Sequence, residues 1–258
     1  MKGESDRMPE GAALVTGGAK GIGRRIAERL AEAGYALVLH CSGRSQAEAE
    51  QAAHGIRSKG GKVQTVFADF NLSAGVEALI DKARACFGPL DLLVNNAGIF
   101  TVDEASNFDV VTLDRQFAIN FKAPLILSRD FARQLPPGQE GVIINILDQR
   151  VFRLTPQFFT YSLSKSALWT ATQTMAQTYA GQGIRVNAVG PGPVSPNEPQ
   201  GERGFAHEVQ GLPLARAVSG DEIADAVLYL AKARNVTGQM IAVDAGQHLA
   251  WQTPDIVL

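Results

Sequence analysis

Short apolar runs alternate with longer segments of helical periodicity along the chain. Each run is apolar at consecutive positions, which is typical of a strand buried on both faces of a sheet. We predict strands at Ala12–Thr16, Ala36–His40, Val63–Phe67, Leu92–Asn95, Val142–Leu147, Ile184–Val189 and Met240–Val243. Helical spacing fills the intervals, as in Ile22–Ala33, which Gly34 ends, and in Tyr161–Ala180. The alternation predicts an α/β fold, a doubly wound parallel sheet of Rossmann type in a single domain.

The segment from residue 190 to residue 213 interrupts this alternation. It contains GPGPVSPNEPQGERG, which is too rich in proline and glycine for a helix or a strand. Within a compact domain, such a long connection is more often an active-site lid than a linker, so we predict a substrate loop. Beyond it, Ser219 and Glu222 have the spacing of a capping box, which predicts the start of a helix. We assign residues 1–258 to the one domain, with residues 1–10 as a disordered leader.

Composition and charge narrow the classes of partner. The 258 residues are 45% hydrophobic and carry a formal net charge of −2, so no basic excess favours nucleic acid. No apolar stretch approaches the roughly 18 residues that a membrane-spanning helix needs, and the N-terminus lacks the apolar core of a signal peptide. Cys41 and Cys86 lack the spacing of a metal or redox motif, which indicates reduced thiols. We therefore predict a cytoplasmic protein that binds no nucleic acid, membrane or metal.

Four glycines separate the first strand from the first helix. In LVTGGAKGIGRR they are Gly17, Gly18, Gly21 and Gly23. Glycines allow a tight turn and let backbone N–H groups approach a pyrophosphate, which the positive end of a helix dipole stabilises. The spacing GxxxGxG differs from the common GxGxxG dinucleotide motif. Its place after the first strand favours a nucleotide site, with an ordinary tight β–α turn as the alternative.

The end of the second strand indicates which dinucleotide is bound. NAD sites commonly have an acidic residue here that binds the ribose 2′-hydroxyl, whereas a basic residue suits the extra phosphate of NADP. The sequence LHCSGRS has no acid and supplies Ser42, Arg44 and Ser45, with Lys20 in the glycine turn as a second cation. These residues predict a preference for NADP(H) over NAD(H). The alternative is that Arg44 is an ordinary solvated side chain.

Tyr161 and Lys165 are four residues apart in a helical segment, so their side chains lie on one face of the helix. A nearby ammonium favours phenolate over phenol, and we expect it to lower the pKa of Tyr161 from about 10 toward neutrality. A tyrosine with such a pKa is a usable general acid or base. Taken alone, such a pair is usually part of a solvated helix face.

Seven motifs in a fixed order make this pair more specific. They are TGGAKGIG, ADF with Asp69, NNAG at residues 95–98, FAIN with Asn120, Tyr161 with Lys165, Pro191-Gly192, and VDAG at residues 243–246. In content and order they resemble the short-chain dehydrogenase/reductase family, from residue 11 to residue 246. The resemblance implies a dinucleotide-dependent oxidoreductase that acts on a small molecule and is typically a homotetramer, sometimes a homodimer.

The resemblance also implies roles for individual residues. Tyr161 is the expected proton donor or acceptor, Lys165 lowers its pKa and holds the nicotinamide ribose, and Asn120 supports a water-linked proton path to that lysine. With the basic residues above, the expected NADP site comprises Gly17, Lys20, Gly21, Ile22, Gly23, Ser42, Arg44, Ser45, Asp69, Phe70, Asn96, Ala97, Gly98, Tyr161, Lys165, Pro191 and Gly192.

One catalytic position departs from the family. The family has a serine thirteen residues before the tyrosine, and this chain has Asp148 there, with no serine or threonine between Ile143 and Leu154. An ionised carboxylate about 4 Å from a carbonyl oxygen that gains charge repels it by roughly 4 kcal/mol at an effective dielectric of about 20. Either Asp148 is protonated when it acts, or the substrate is not a ketone. A C=N substrate reverses the sign, because its nitrogen must be protonated. The structural alternative is that Asp148 only caps a turn.

An aspartate at this position resembles pteridine reductases and bacterial dihydromonapterin reductases, which reduce C=N bonds of a pterin ring with NADPH. Phe100 in NNAGIF stands where pteridine reductases have an aromatic that stacks on the pterin, the alternative being a packed hydrophobe. LHCSGRS is similar to their stretch for the 2′-phosphate. Those enzymes usually have an arginine where this chain has Gly21. Here Arg24 or Lys20 is expected to compensate, unless the substrate is a different heterocycle.

The leading hypothesis is an NADPH-dependent reductase of a C=N bond in a pterin-like substrate. Its predicted catalytic residues are Asn120, Asp148, Tyr161 and Lys165, and its predicted substrate contacts are Phe100, Asp148 and Tyr161. The alternatives are a carbonyl reductase or alcohol dehydrogenase that acts on a ketone or secondary alcohol, and a non-catalytic NADP-binding sensor. In the apolar C-terminal tail, we expect Trp251 either to cover a neighbouring subunit's site or to complete an interface.

Overall fold

The computed structural model describes residues 11–196 and 200–250, which form one α/β domain. Seven strands, all paired in parallel, build a sheet in the order β3-β2-β1-β4-β5-β6-β7. They are β1 (Ala12–Thr16), β2 (Ala36–Cys41), β3 (Val63–Phe67), β4 (Leu90–Asn95), β5 (Gly141–Ile146), β6 (Ile184–Pro191) and β7 (Met240–Val243). The predicted doubly wound, Rossmann-type fold is confirmed. Strand bounds differ from the predicted ones by at most two residues at either end.

Helices connect the strands and cover the sheet. They are α1 (Gly21–Glu32), α2 (Gln46–Ser58), α3 (Ser73–Glu77), α4 (Leu79–Phe87), α5 (Val110–Phe117), α6 (Ala123–Gln134), α7 (Phe159–Tyr179), α8 (Gly201–Gln210) and α9 (Gly220–Lys232). A π-helical turn, Ala118–Lys122, joins α5 to α6, and a 3-10 turn, Gln149–Val151, follows β5.

The core lies on both faces of the sheet, which explains the consecutive apolar positions in the strands. Successive side chains of a strand point to opposite faces. In β1, Ala13 and Val15 pack with residues of α1, α2 and α9, whereas Ala12 and Leu14 pack with residues of α4, α6 and α7. Because β1 neighbours β2 on one side and β4 on the other, the connections diverge there and leave a crevice at the carboxyl ends of these strands.

The segment from residue 190 to residue 213 is more regular than predicted. Strand β6 continues to Pro191, because Gly190 and Pro191 remain in register with β7, and α8 occupies residues 201–210. Prolines occur up to Pro199 and again at Pro213, so the residues between them are free to form a helix. We predicted that this segment forms no helix and no strand, and that prediction was wrong for residues 190–191 and 201–210. Residues 197–199 lie outside the described chain.

The capping box predicted before α9 is confirmed. The Ser219 hydroxyl accepts the Glu222 N–H at 3.1 Å, and the Glu222 carboxylate accepts the Ser219 N–H at 2.8 Å. Cys41 and Cys86 are both free. The leader at residues 1–10 and Trp251 fall outside the described residues.

Among residues 11–196 and 200–250, none of the helices has the length and apolar character that crossing a membrane requires. The same ranges hold no cluster of three or more metal-ligating side chains.

Candidate active site

The crevice contains two adjoining cavities. The first, about 330 Å³, lies over the glycine turn between β1 and α1, and we call it the turn cavity. The second, about 380 Å³, lies between the ends of β5 and β6 and the start of α7, and we call it the slot. Ile22, Asn96, Gly98 and Ile99 line both cavities, so one elongated ligand can extend from one cavity into the other.

Close packing fixes the glycine turn. Gly17 has φ +64°, a conformation that favours glycine, and a Cβ on Gly23 would lie 2.2 Å from the Gly17 carbonyl oxygen. The Asn96 amide donates to the carbonyl oxygens of Thr16 and Gly17, at 2.9 and 3.2 Å. The Thr16 hydroxyl accepts the N–H groups of Asn96 and Ala97, at 2.9 and 3.0 Å. The turn is therefore tied to the end of β4 and presents its backbone to the cavity.

Most of the residues predicted to bind the cofactor line the turn cavity. They are Gly17, Lys20, Ile22, Gly23, Ser42, Arg44, Ser45, Asp69, Phe70, Asn96, Ala97 and Gly98. Tyr161, Lys165, Pro191 and Gly192 line the adjoining slot instead. Gly21 lines neither cavity and begins α1 with φ +56°.

The turn cavity is basic where β2 ends. Ser42, Arg44, Ser45 and Lys20 lie along it. Asp69 lies there too, but its carboxylate accepts the Asn71 N–H at 2.9 Å and the Asn71 amide at 2.7 Å. These bonds, and to a smaller extent Arg44, hold the pKa of Asp69 below its usual range. A backbone-lined turn at a helix start, with a permanent cation at the β2 end, fits a dinucleotide that carries an extra phosphate.

His40 is a residue of the turn cavity that the sequence analysis missed. Its ring is buried, stacks on Phe70 at 4.3 Å, and accepts the Gly17 N–H at Nδ1 over 3.4 Å. Nε2 donates to the Ala68 carbonyl oxygen at 3.1 Å. Burial lowers the pKa of His40 to about 4, so the ring is neutral and its bonds set the tautomer. The sequence does carry one sign of this residue, because His40 is a polar side chain at the end of an apolar strand, where an α/β fold places its ligand site.

Asp148 both caps a turn and faces the tyrosine. It precedes the 3-10 turn after β5, and its Oδ1 accepts the Arg150 N–H at 2.8 Å. The Tyr161 hydroxyl donates to Oδ2 at 3.0 Å. Both residues are buried, with 9% and 8% of their surface exposed. Asp148 can therefore cap the turn and take part in catalysis at once, because Oδ1 accepts the Arg150 N–H and Oδ2 accepts the Tyr161 hydroxyl.

The start of α7 holds the tyrosine in place. Asp103, in the segment after β4, accepts the Thr160 N–H at 3.1 Å and also the Thr160 hydroxyl. One turn beyond Tyr161, the Lys165 ammonium donates to the Ile146 carbonyl oxygen at 2.7 Å. Tyr161 and Lys165 thus lie on one face of α7, as predicted, and both line the slot.

The pKa expectation for the tyrosine was wrong. Burial, and then the Asp148 carboxylate, raise the pKa of Tyr161 well above its usual value, although the Arg150 charge opposes the rise. Burial also lowers the pKa of Lys165 to about 8, in part offset by Asp148. The Tyr161 phenol therefore keeps its proton at neutral pH and is set to donate it.

Asn120 lies in the π-helical turn and joins two elements of the site. Its amide oxygen accepts the Ile99 N–H at 2.9 Å, and its nitrogen donates to the Ile99 carbonyl oxygen at 2.9 Å and to the Ser164 hydroxyl at 3.1 Å. Asn120 therefore connects the segment after β4 to α7, next to Lys165. The water-linked proton path through Asn120 stays a prediction.

An aromatic wall forms one side of the slot. Phe100, 39% exposed, stacks on the buried Phe158 with ring centroids 4.1 Å apart, and meets the Tyr161 ring edge-on at 4.7 Å. The three residues predicted to contact substrate, Phe100, Asp148 and Tyr161, thus lie together along the slot.

The slot also has polar residues that the sequence analysis missed. Glu208 on α8 accepts the Gln200 and Gln247 amides at 2.7 and 3.0 Å. Arg150 also lines the slot. Neither of the two residues expected to compensate for Gly21 lines it: Lys20 faces the turn cavity, and Arg24 pairs with Glu28 at 2.9 Å.

The continuous crevice, with the glycine turn and its basic residues at one end and the Asp148–Tyr161 pair at the other, defines a nucleotide-dependent oxidoreductase. A family model described as short chain dehydrogenase matches residues 11–203. The chain therefore belongs to the short chain dehydrogenase family, which confirms the resemblance carried by the sequence motifs.

Two solved structures in this family are similar over almost the whole chain. FolM alternative dihydrofolate reductase 1 from Brucella canis, complexed with NADP, is 46% identical, with a TM-score of 0.91 over 98% of this chain and 100% of its own. The protein of the same name from Brucella suis, in complex with NADP, is 48% identical, with a TM-score of 0.89 over 95% and 98% of the two chains.

Another relative is named for a different substrate. The 2-dehydro-3-deoxy-D-gluconate 5-dehydrogenase of Dickeya dadantii is 32% identical over 241 residues, which are 91% of this chain and 94% of that protein. The family is therefore established for this chain, while its relatives differ in the substrates for which they are named.

Proposed function

We propose that this protein is an NADPH-dependent reductase of a C=N bond in a pterin-like substrate. One observation carries the proposal: a buried carboxylate, Asp148, stands where the family has serine and accepts the Tyr161 hydroxyl at 3.0 Å. The two FolM proteins, named alternative dihydrofolate reductases, support the substrate class.

The turn cavity is the proposed NADP(H) site. Gly17 and Gly23 leave room for the pyrophosphate at the start of α1, and Arg44 with Ser42 and Ser45 faces the extra phosphate. The FolM structures contain NADP, which supports the preference inferred from these residues. When bound, the nicotinamide supplies a hydride.

Charge at the slot favours nitrogen over oxygen as the group that is protonated. A carbonyl oxygen that receives negative charge about 4 Å from an ionised Asp148 is repelled by about 4 kcal/mol at an effective dielectric of about 20. That corresponds to roughly a thousandfold in rate. A C=N nitrogen gains positive charge when it is protonated, so the same carboxylate stabilises it. The buried site strengthens either effect.

Tyr161 is the proposed proton donor. Its raised pKa keeps the phenol protonated at neutral pH, and its hydroxyl lies in the slot beside Asp148. In the proposed reaction the carbon of the C=N bond gains the hydride, and the nitrogen gains the proton from the phenol. The Lys165 ammonium, on the same face of α7, offsets the negative charge that then develops on Tyr161.

The shape of the slot suits a flat heterocycle. Phe100 presents a partly exposed ring that is already stacked on Phe158, so its orientation is fixed before a ligand arrives. A planar pterin ring packs against such a face with its edges toward the polar groups of the slot. Phe100 is thus proposed as one wall of the substrate site, and residues 190–196 and 200–213, which include α8, as its cover.

The test is loss of NADPH absorbance with a substrate panel. The panel contains dihydromonapterin, dihydrobiopterin, dihydrofolate and a set of ketones. The proposal expects turnover of at least one dihydropterin or dihydrofolate and little turnover of ketones. Turnover of ketones alone would contradict it and would establish the second candidate, a carbonyl reductase, which the sugar-acid dehydrogenase relative favours. NADPH binding without any turnover would instead establish the sensor alternative. The homotetramer, or homodimer, and the cytoplasmic location stay predictions.

A further inference from the structure

Arg150 is the one arginine among the described residues that line the slot. It follows Asp148 by two residues in the 3-10 turn after β5, and only 6% of its surface is exposed. A guanidinium cannot lose its proton in a protein, so this turn places a permanent positive charge beside the acid pair.

Arg150 contacts the Asp148 carboxylate in two ways. Its backbone N–H donates to Oδ1 at 2.8 Å, and its Nη1 lies 3.4 Å from both Oδ1 and Oδ2. With Oδ1 held by the backbone, Oδ2 is turned toward the Tyr161 hydroxyl. The arginine therefore fixes both the orientation and the electrostatic surroundings of the carboxylate.

The same guanidinium packs on the aromatic wall. Its Cζ lies 5.0 Å from the Phe158 ring centroid and 5.6 Å from that of Phe100, both within the range of a cation–π contact. Because Phe100 and Phe158 are stacked on each other, the charge, the wall and the acid pair form one contiguous unit. Loss of the arginine would loosen the wall as well as the acid.

Other ionisable groups face Asp148 from neighbouring elements. Tyr161 and Lys165 come from α7, and Glu208 on α8 lines the same slot. The Lys165 ammonium is engaged by the Ile146 carbonyl oxygen. In the described part of the chain, Arg150 is therefore the cation that makes an ion pair with Asp148.

We propose that Arg150 is a positioning residue that holds the Asp148 carboxylate in an ion pair and aims its Oδ2 at the Tyr161 hydroxyl. The inference rests on the proposed function and answers a question that it leaves open, namely which of the two acids carries the proton. With Oδ2 held in this position, the Tyr161 hydroxyl is the donor of the pair, and Tyr161 carries the proton that goes to the substrate nitrogen. Asp148 then stabilises the nitrogen cation and does not itself donate.

The test compares variants that separate charge from shape. Arg150→Gln removes the charge and keeps a polar side chain, whereas Arg150→Lys keeps the charge but loses the planar fork. The control is Arg133→Gln on α6, which removes one positive charge from a side chain that is 71% exposed. For each protein, kcat/KM for dihydropterin reduction is measured across pH, and the Kd for NADPH is measured by fluorescence.

The acid limb of the profile is expected to move upward in Arg150→Gln by about one pH unit or more, because a carboxylate without its cation binds a proton more readily. The expected upward shift in Arg150→Lys is smaller, because lysine keeps the positive charge but lacks the planar fork. Arg133→Gln leaves the profile unchanged, and the Kd for NADPH stays unchanged in all variants. A purely structural role would lower kcat without moving the limb.

Unshifted acid limbs in the Arg150 variants would overturn the inference. If Arg150→Gln does not fold, the acid limb of the kcat/KM profile of Arg150→Lys is used instead: an upward shift supports the inference, and an unshifted limb overturns it. Failure of the proposed function looks different, because the wild-type protein then reduces ketones and not dihydropterins.

Discussion

Replacing Asp148 by serine restores the residue that the family has at this position, and we predict that it reverses the choice of substrate. In the structure, Asp148 is buried and its Oδ2 accepts the Tyr161 hydroxyl at 3.0 Å. A serine hydroxyl can also accept that bond, or donate to a substrate oxygen, but it carries no charge. The substitution therefore changes the electrostatics of the slot more than its hydrogen bonding.

The magnitude follows from the charge that is removed. For a ketone, loss of a carboxylate about 4 Å from the oxygen relieves about 4 kcal/mol at an effective dielectric of about 20, an upper limit of roughly a thousandfold in rate. For a C=N substrate, the carboxylate that stabilises the protonated nitrogen is lost, and we expect kcat/KM to fall by about a hundredfold or more. Loss of the ion pair between Asp148 and the Arg150 guanidinium adds to that fall.

The assay is steady-state kcat/KM at neutral pH with NADPH, for one dihydropterin and one ketone. Asp148→Asn serves as the matched control, because it keeps the shape and removes the charge. Thermal unfolding of each variant checks that the domain remains intact. We expect Asp148→Asn to lose dihydropterin activity without gaining the full ketone activity of Asp148→Ser, since an amide N–H is a weaker match for the family's hydroxyl.

Two results would refute the reasoning. Unchanged dihydropterin turnover in Asp148→Ser would show that the carboxylate takes no part in the reaction. An equal loss on both substrates would show that Asp148 acts only by capping the turn that precedes Arg150.

Three further predictions concern neighbouring residues. Arg44→Ala should raise KM for NADPH by about tenfold or more and leave KM for NADH unchanged, because a charged hydrogen bond to the extra phosphate is worth about 1.5–3 kcal/mol; an equal rise for both cofactors would refute this. Because burial lowers the pKa of Lys165 to about 8, the ammonium loses its charge above that pH, and kcat/KM should fall there. In Lys165→Arg, this fall should move to higher pH, because arginine keeps its charge. Because the pKa of His40 falls from 6.5 unfolded to about 4 folded, its contribution to stability is complete above pH 6.5 and is lost as pH falls toward 4. Unfolding titrations should show a loss of about 3 kcal/mol over that interval, which His40→Asn removes.

The strands were predictable because a buried parallel strand is apolar on both faces, so its position appears directly in the sequence. Helix α8 was not, because prolines on either side dominated the composition of a window that also holds a ten-residue helix. The motif residues that line the two cavities were found because they occur at strand ends and helix starts, where the fold of an α/β domain places its ligands.

Other features of the site depend on tertiary packing. Glu208 and Gln247 are 39 residues apart and meet only because α8 folds over the segment after β7. The pKa of Tyr161 was misjudged because Lys165 is visible one helical turn away in sequence, whereas the burial and the Asp148 contact that outweigh it exist only after folding. Arg150 was overlooked for the same reason, although it lies two residues from Asp148.

The most direct test of the central claim is isotope transfer from NADPH deuterated at the transferring position of the nicotinamide. Incubation with a dihydropterin and mass analysis of the product should show one deuterium on the ring carbon that was double-bonded to nitrogen. Absence of label in the pterin after incubation, together with deuterium on the carbinol carbon formed from a ketone, would contradict the account.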